Sequence, residues 1–150
     1  MRLTVATPLV IVVEVGDVVH LRAEDDTGAF GILPGHADFL TALAVSVASW
    51  RDDRGAEHHV AVRGGMLEMR DGNTIGIATP EAVAGDDLQR LETEVLAKFR
   101  LQLVEEQAAR TDAQRLYLAA IRQIARFLRG GETPTMTASP TVGDGDGFGP

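Results

Sequence analysis

The hydrophobic positions in the first half of the chain recur with a period of two. Leu43, Val45 and Val47 alternate with Ala44, Ser46 and Ala48 ahead of Trp50, a spacing that sends one set of side chains inward and the other outward on a half-buried strand. Arg51 to Gly55 supplies turn residues and His58 to Arg63 alternates again, so the two runs predict a hairpin. A second hairpin is read from Met66 to Arg70 and Asn73 to Ala78. Asp71-Gly72 joins its strands, because that pair accepts the positive φ angles of a tight type I′ turn. Short Val- and Ile-rich runs broken by Gly, Pro and Asp continue from Arg2 to about Gly85 and predict an antiparallel β-sandwich or barrel.

After Gly85 the period changes. Leu88, Leu91, Val95 and Phe99 recur at spacings of three and four, and Leu96 and Leu103 widen that stripe, as on an amphipathic helix. Asp86 and Asp87 stand where carboxylates cap free N–H groups. Thr111-Asp112 offers a second cap before Leu116, Ala120, Ile121, Ile124, Phe127 and Leu128, and Gly130-Gly131 offers a stop,. The expected fold class is therefore α+β, β then α. A sandwich over residues 1–85 is followed by a two-helix antiparallel hairpin over 86–130. The Gly-, Pro-, Thr- and Asp-rich stretch 131–150 reads as a disordered tail.

Charge narrows the list of partners. The 150 residues carry a formal net charge of -8, which argues against nucleic acid, since that needs a concentrated positive face. The second expected helix is the one basic element, with Arg110, Arg115, Arg122, Arg126 and Arg129 against Asp112. Two readings of it stand: contact with an acidic partner surface, or a solvated face balanced by Glu92, Glu94, Glu105 and Glu106. The longest aliphatic run, Leu9 to Val13, falls well short of the ~20 residues that cross a bilayer. No signal peptide is read, so a cytoplasmic, at most membrane-peripheral, protein is expected.

No catalytic or metal-binding constellation assembles. Cysteine is absent and Lys98 is the one lysine, which excludes thiol chemistry and a phosphate-cradling P-loop. His58 and His59 are adjacent and on a strand would point to opposite faces, one at the surface and one semi-buried, rather than share a metal; His20 lies in a similar alternating run. Asp144-Gly-Asp146-Gly lacks the Glu that closes a calcium loop. Asp25-Asp26 and Asp52-Asp53 are turn carboxylates. Two segments stand out instead. Gly28 to Leu43 packs Gly, Pro and His36 between apolar residues, which suggests a sharply turned loop, and Gly64-Gly-Met-Leu-Glu precedes the Asp-Gly turn. Both also fit close strand approaches at sandwich corners, where a side chain would not fit.

At these residues the chain resembles the epsilon-subunit family of F-type ATP synthases. The family pattern G-x-x-G-I-x-P-G-H-A is met by Gly28, Gly31, Ile32, Pro34, Gly35, His36 and Ala37, and G-G-x-L-E by Gly64, Gly65, Leu67 and Glu68. The resemblance covers about residues 2–129. It implies a noncatalytic central-stalk subunit of the rotor, peripheral on the cytoplasmic face of the inner membrane. Its sandwich would bind the gamma subunit and the c-ring through a loop including Phe30, Ile32, Leu33, Pro34, Gly35 and His36. Its hairpin would fold down or extend toward the alpha and beta subunits, where Arg115, Arg122, Arg126 and Arg129 would restrain ATP hydrolysis. Many family members carry Gly-Glu-Leu-Gly where this chain has Gly28-Ala29-Phe30-Gly31, so the resemblance implies an apolar rather than a charged ring contact here, and leaves a divergent, second F-type complex as the setting. No cofactor is expected. ATP enters as a regulatory ligand through Asp87 and Arg90, which supply D-x-x-R of the family motif; Asp86 and Leu91 depart from its two ends. The alternative from a different class is a free-standing ATP-binding sensor using these residues.

Overall fold

The computed structural model describes residues 1–130; the stretch 131–150, read above as a tail, lies outside the described residues. The chain divides into two compact units, Met1–Gln107 and a second beginning at Ala108.

The first unit holds eight strands: β1 (Arg2–Ala6), β2 (Ile11–Val15), β3 (Val18–Asp25), β4 (Gly28–Ile32), β5 (Phe39–Asp52), β6 (Glu57–Arg70), β7 (Thr74–Ala78) and β8 (Ala82–Gly85). Their order is β2-β1-β7-β6-β5-β3-β4, with β8 added on β6. All pairs are antiparallel except β1 with β7, which run parallel, a departure from the wholly antiparallel expectation. β5 and β6 are the longest strands, 14 residues each. The first half of β6 pairs with β8 and its last five residues pair with β7. The change of partner falls at Gly64 and Gly65, with φ of 72° and 108°. A Cβ on Gly65 would lie 2.1 Å from the Ala78 carbonyl oxygen, so the corner closes only because no side chain is there.

Both predicted hairpins form. Asp71 and Gly72 have φ of 54° and 69°, the double positive φ of a type I′ turn. In the β5–β6 turn the Gly55 N–H donates to the Asp52 carbonyl at 3.0 Å. Leu3, Val5, Leu21, Ile32, Val60, Val62, Leu67, Met69, Ile75 and Ile77 form the sandwich core. The alternation in β5 differs from the expected phase. Leu43, Ser46, Ala48 and Trp50 are buried, whereas Val45 and Val47 point away from that core and pack on a second cluster of Ala61, Leu91, Leu96 and Phe99. Helical residues cover the outer face of β5, so both faces are apolar there and the period of two does not say which one is the sandwich core.

The helical part comprises a short α-helical turn α1 (Leu88–Arg90), a π-helical turn Leu91–Val95 and an α-helix α2 (Leu96–Arg129). The π-turn shifts the predicted stripe. Leu91 is followed on the buried face by Leu96 and Phe99, with Val95 only half-buried at its margin, because one extra residue enters the turn and the Leu96 N–H donates to the Leu91 carbonyl,. The short link expected ahead of the Thr111-Asp112 cap is helical instead, and α2 runs on to Arg129. The reason is local. Thr111-Asp112 can start a helix, but Gln107 to Arg115 contains no Gly or Pro to end the preceding one,.

Two turn carboxylates are held below their ordinary range. Asp25 accepts from the Thr27 and Thr41 hydroxyls and the Thr27 N–H, at 2.6, 2.8 and 2.9 Å, and these hydrogen bonds lower its pKa. Asp52 is lowered chiefly by its 2.9 Å bond from His58, with the Ala56 and Arg54 N–H groups adding to it. Depressed folded pKa values add stability above the unfolded value that is lost as pH falls through the folded one. Urea midpoints are expected to hold steady from neutrality down to about pH 5 and to drop below about pH 4. In Asp25→Asn and Asp52→Asn that acid slope flattens; an unchanged slope in both would remove these turns as its cause.

Candidate functional site

The loop after β4 is built by its own sequence. The Gly35 N–H donates to the Gly72 carbonyl at 2.7 Å, and the Asp71 N–H donates to Asp38 Oδ1 at 2.8 Å. A Cβ on Gly72 would stand 3.1 Å from the Gly35 Cα. The loop singled out in the sequence therefore seats directly on the predicted Asp71-Gly72 turn. The His36 N–H closes the turn on the Leu33 carbonyl at 3.2 Å. The His36 Nδ1–H donates to the Ala37 carbonyl at 2.8 Å, and its ring lies 4.8 Å from Phe39, which meets Phe30 edge-on at 6.0 Å. The loop is thus rigid from beneath by hydrogen bonding and from the side by aromatic packing.

Of the expected loop residues, Leu33, Pro34, Gly35 and His36 are exposed and Phe30 is half-buried. Ile32 differs: it is 0% exposed and sits in the sandwich core, where it anchors the loop and presents nothing to a partner. A strand-end residue beside a core side chain alternates inward, and a motif match does not show which way it points.

An apolar surface that the sequence reading did not single out lies nearby. Thr4, Ala6, Leu40, Met66, Gly76 and Ala78 line a shallow groove of about 240 Å³ on the sheet face. Ala6 and Ala78 also line a second groove with Pro8 and Pro80, so the surface is continuous. Leu40 and Met66 are 63% and 42% exposed, and Leu9 in the β1–β2 connection is 96% exposed. The signal in the sequence is that β5 and β6 carry large apolar residues at outward as well as inward positions.

Asp87 and Arg90 lie on one cleft wall with Asp86 and Leu91. Both are already engaged: Asp87 Oδ1 accepts the Arg90 N–H at 3.2 Å as a helix cap, and Arg90 Nε pairs with Glu94 at 3.3 Å. In the second unit, Arg115, Arg122, Arg126 and Arg129 recur at spacings of seven, four and three and share one stripe of α2. Opposite them, Leu116, Tyr117, Ile124, Phe127 and Leu128 are all more than half exposed, an amphipathic face. No helix among the described residues is long and apolar enough to cross a membrane.

Residues 1–85 match the family model for the ATP synthase Delta/Epsilon chain, beta-sandwich domain. The chain is 40% identical over 129 residues to ATP synthase epsilon chain 2 of Paraburkholderia xenovorans, covering 86% of this chain and 93% of that one. It is 39% identical to ATP synthase epsilon chain 2 of Cereibacter sphaeroides, covering 85% and 88%. In fold it resembles a chain of the Euglena gracilis mitochondrial ATP synthase OSCP/F1/c-ring structure, with a TM-score of 0.54 and 24% identity over 71% of this chain and 62% of that one.

Proposed function

The chain belongs to the ATP synthase delta/epsilon-chain family, and from that membership we propose how its surfaces serve a noncatalytic central-stalk subunit of the F-type rotor. The sandwich, residues 1–85, joins the gamma subunit to the c-ring. The loop Leu33–His36, with Phe30 behind it, makes the ring and gamma contact, and the Leu40–Met66 face continues that contact surface. The observation that carries this reading is the mutual seating of the Gly35 loop and the Gly72 turn. That seating holds Leu33, 59% exposed, at a defined place on the surface at no further cost in ordering,. Ala29, in place of the acidic residue of many relatives, leaves the contact apolar.

The helical part, residues 86–130, carries the regulatory role. Its arginine stripe suits an acidic surface of the alpha and beta subunits, and contact there restrains ATP hydrolysis. Thr111-Asp112 is where α2 yields when the helices fold back as a hairpin, since the pair can cap a new helix start and the apolar face beyond it gains cover. Such an exchange needs only a few kcal/mol of differential contact. Held by the complex, the subunit lies peripherally on the cytoplasmic face of the inner membrane. The free-standing ATP sensor takes second place, because cap and ion pair occupy both Asp87 and Arg90.

Leu33→Asp and Leu40→Asp are expected to weaken capture of the full chain by a gamma and c-ring assembly by about tenfold or more, while the melting temperature of the exposed-site variants stays within about 2 °C of the parent. Undiminished capture of both variants would rule out this face and loop as the contact.

A further inference from the structure

We infer that Arg63 is a clasp holding the root of α2 against the sandwich, a positioning residue for the helix whose regulatory role rests on the reading above. Arg63 stands at the end of the first half of β6, immediately before the Gly64-Gly65 corner. Its side chain is only 16% exposed, deep for a guanidinium without partners. Nη1 donates to Glu106 Oε1 on α2, and Nε lies 3.8 Å from Glu81 Oε2. The Arg63 N–H also donates to the Glu81 carbonyl at 3.0 Å, so the main chain keeps that carboxylate beside the guanidinium. Glu81 reaches Lys98 at 4.0 Å. Two cations and two carboxylates thus meet between strand and helix.

The helix side of the cluster is a single face. Lys98, Gln102 and Glu106 are spaced by four residues and stack along α2. The apolar anchor does not extend that far, since the buried residues of α2 are Leu96 and Phe99. From Gln102 to Glu106 the helix is therefore held by polar contact. Arg63 Nε and Gln102 Oε1 are both buried without a hydrogen-bond partner. The 3.8 Å approach of Arg63 Nε to Glu81 is too long for a hydrogen bond, so that side of the cluster acts through charge,. The root of α2 accordingly has two grips of different physics: apolar burial, which salt does not screen, and a charge clasp, which it does. Glu106 lies one residue before the first compact unit ends at Gln107, so releasing the clasp frees the last turn of that unit while the Phe99 anchor stays in place.

The test is amide hydrogen exchange on the full-length chain, comparing the parent with Arg63→Gln, Glu106→Gln and the double variant carrying both. Arg63→Gln and Glu106→Gln are each expected to speed exchange across residues 100–107 by about fivefold, with the β1, β6 and β7 amides unchanged. Salt at about 1 M is expected to do the same to the parent. The double variant is expected to exchange no faster than either single variant, since both changes remove the same bond, a non-additivity that mere packing at Arg63 would not produce. Exchange within about twofold of the parent in both single variants, or a double variant in which the two increases multiply, would overturn the clasp. ATP hydrolysis by the parent complex is read separately. If exchange responds and hydrolysis does not, the clasp stands and the regulatory role given to the helix falls.

Discussion

Gly65→Ala is expected to destabilise the protein by about 3 kcal/mol or more. At φ of 108° an L side chain is strained, and the added Cβ would lie 2.1 Å from the Ala78 carbonyl oxygen and 2.8 Å from the Thr79 Cα. Neither neighbour is a side-chain tip that could swing away. Relief would require β6 and β7 to separate where Met66 pairs with Ala78. Gly64→Ala is a graded control. Its φ of 72° is left-handed and its Cβ would meet the Leu43 carbonyl at 3.3 Å, so a loss of about 1–2 kcal/mol is expected. Gly16, with nothing within 4 Å of its Cβ, should tolerate alanine with a change under about 0.5 kcal/mol. Urea unfolding of the three variants would read this order directly. A Gly65 variant as stable as the Gly16 variant would mean that the corner is not closed as described. The consequence reaches the proposed contact surface, since the half of β6 beyond Gly65 leads into the Asp71-Gly72 turn on which the Gly35 loop sits.

The second large effect concerns where the chain is cut. Removing everything after Gly85 takes away Leu91, Leu96 and Phe99, which cover Ala61, Val45 and Val47. Phe99 is fully buried, and losing a buried phenylalanine side chain alone costs about 3–5 kcal/mol. A chain ending at Gly85 should therefore be markedly less stable. One ending at Gln107 keeps the first compact unit whole and lacks Arg115, Arg122, Arg126 and Arg129. In the purified complex, that longer truncation is expected to keep synthesis coupled and raise ATP hydrolysis at least about fivefold, the lower range of an allosteric coupling energy. Equal hydrolysis with an intact complex would remove the inhibitory role and leave a structural stalk subunit. A rise seen only with the Gly85 chain would point to damage to the sandwich.

Local backbone demands were the most legible part of the fold. Asp71-Gly72 announced its turn because few residues accept two successive positive φ angles. The switch from a period of two to a helical period near Gly85 was readable because each period is a property of its own element. The family motifs pointed to the Gly28–Ala37 loop for the same reason, since they record residues the backbone requires. Where two elements share a position, periodicity fell short. Val45 and Val47 alternate like core residues, yet a helix rather than the opposite sheet buries them. Leu91, Leu96 and Phe99 share a face only because a π-turn adds a residue, and Thr111-Asp112 is a cap signal inside an unbroken helix.

The sequence by itself determined the class of the fold, its order of β then α, the two hairpins and the family. These depend on neighbours a few residues apart, whose geometry is set by dihedral sterics and helix or strand period. Only the tertiary structure decided that Ile32 is an anchor rather than a contact, that Leu40 and Met66 face outward, that Gly35 rests on Gly72, and that Arg63 meets Glu106 across 43 positions. Such outcomes turn on which distant surfaces come together. Many pairings of like chemistry are open to one chain, and the energy that selects among them belongs to the assembled packing rather than to any local stretch.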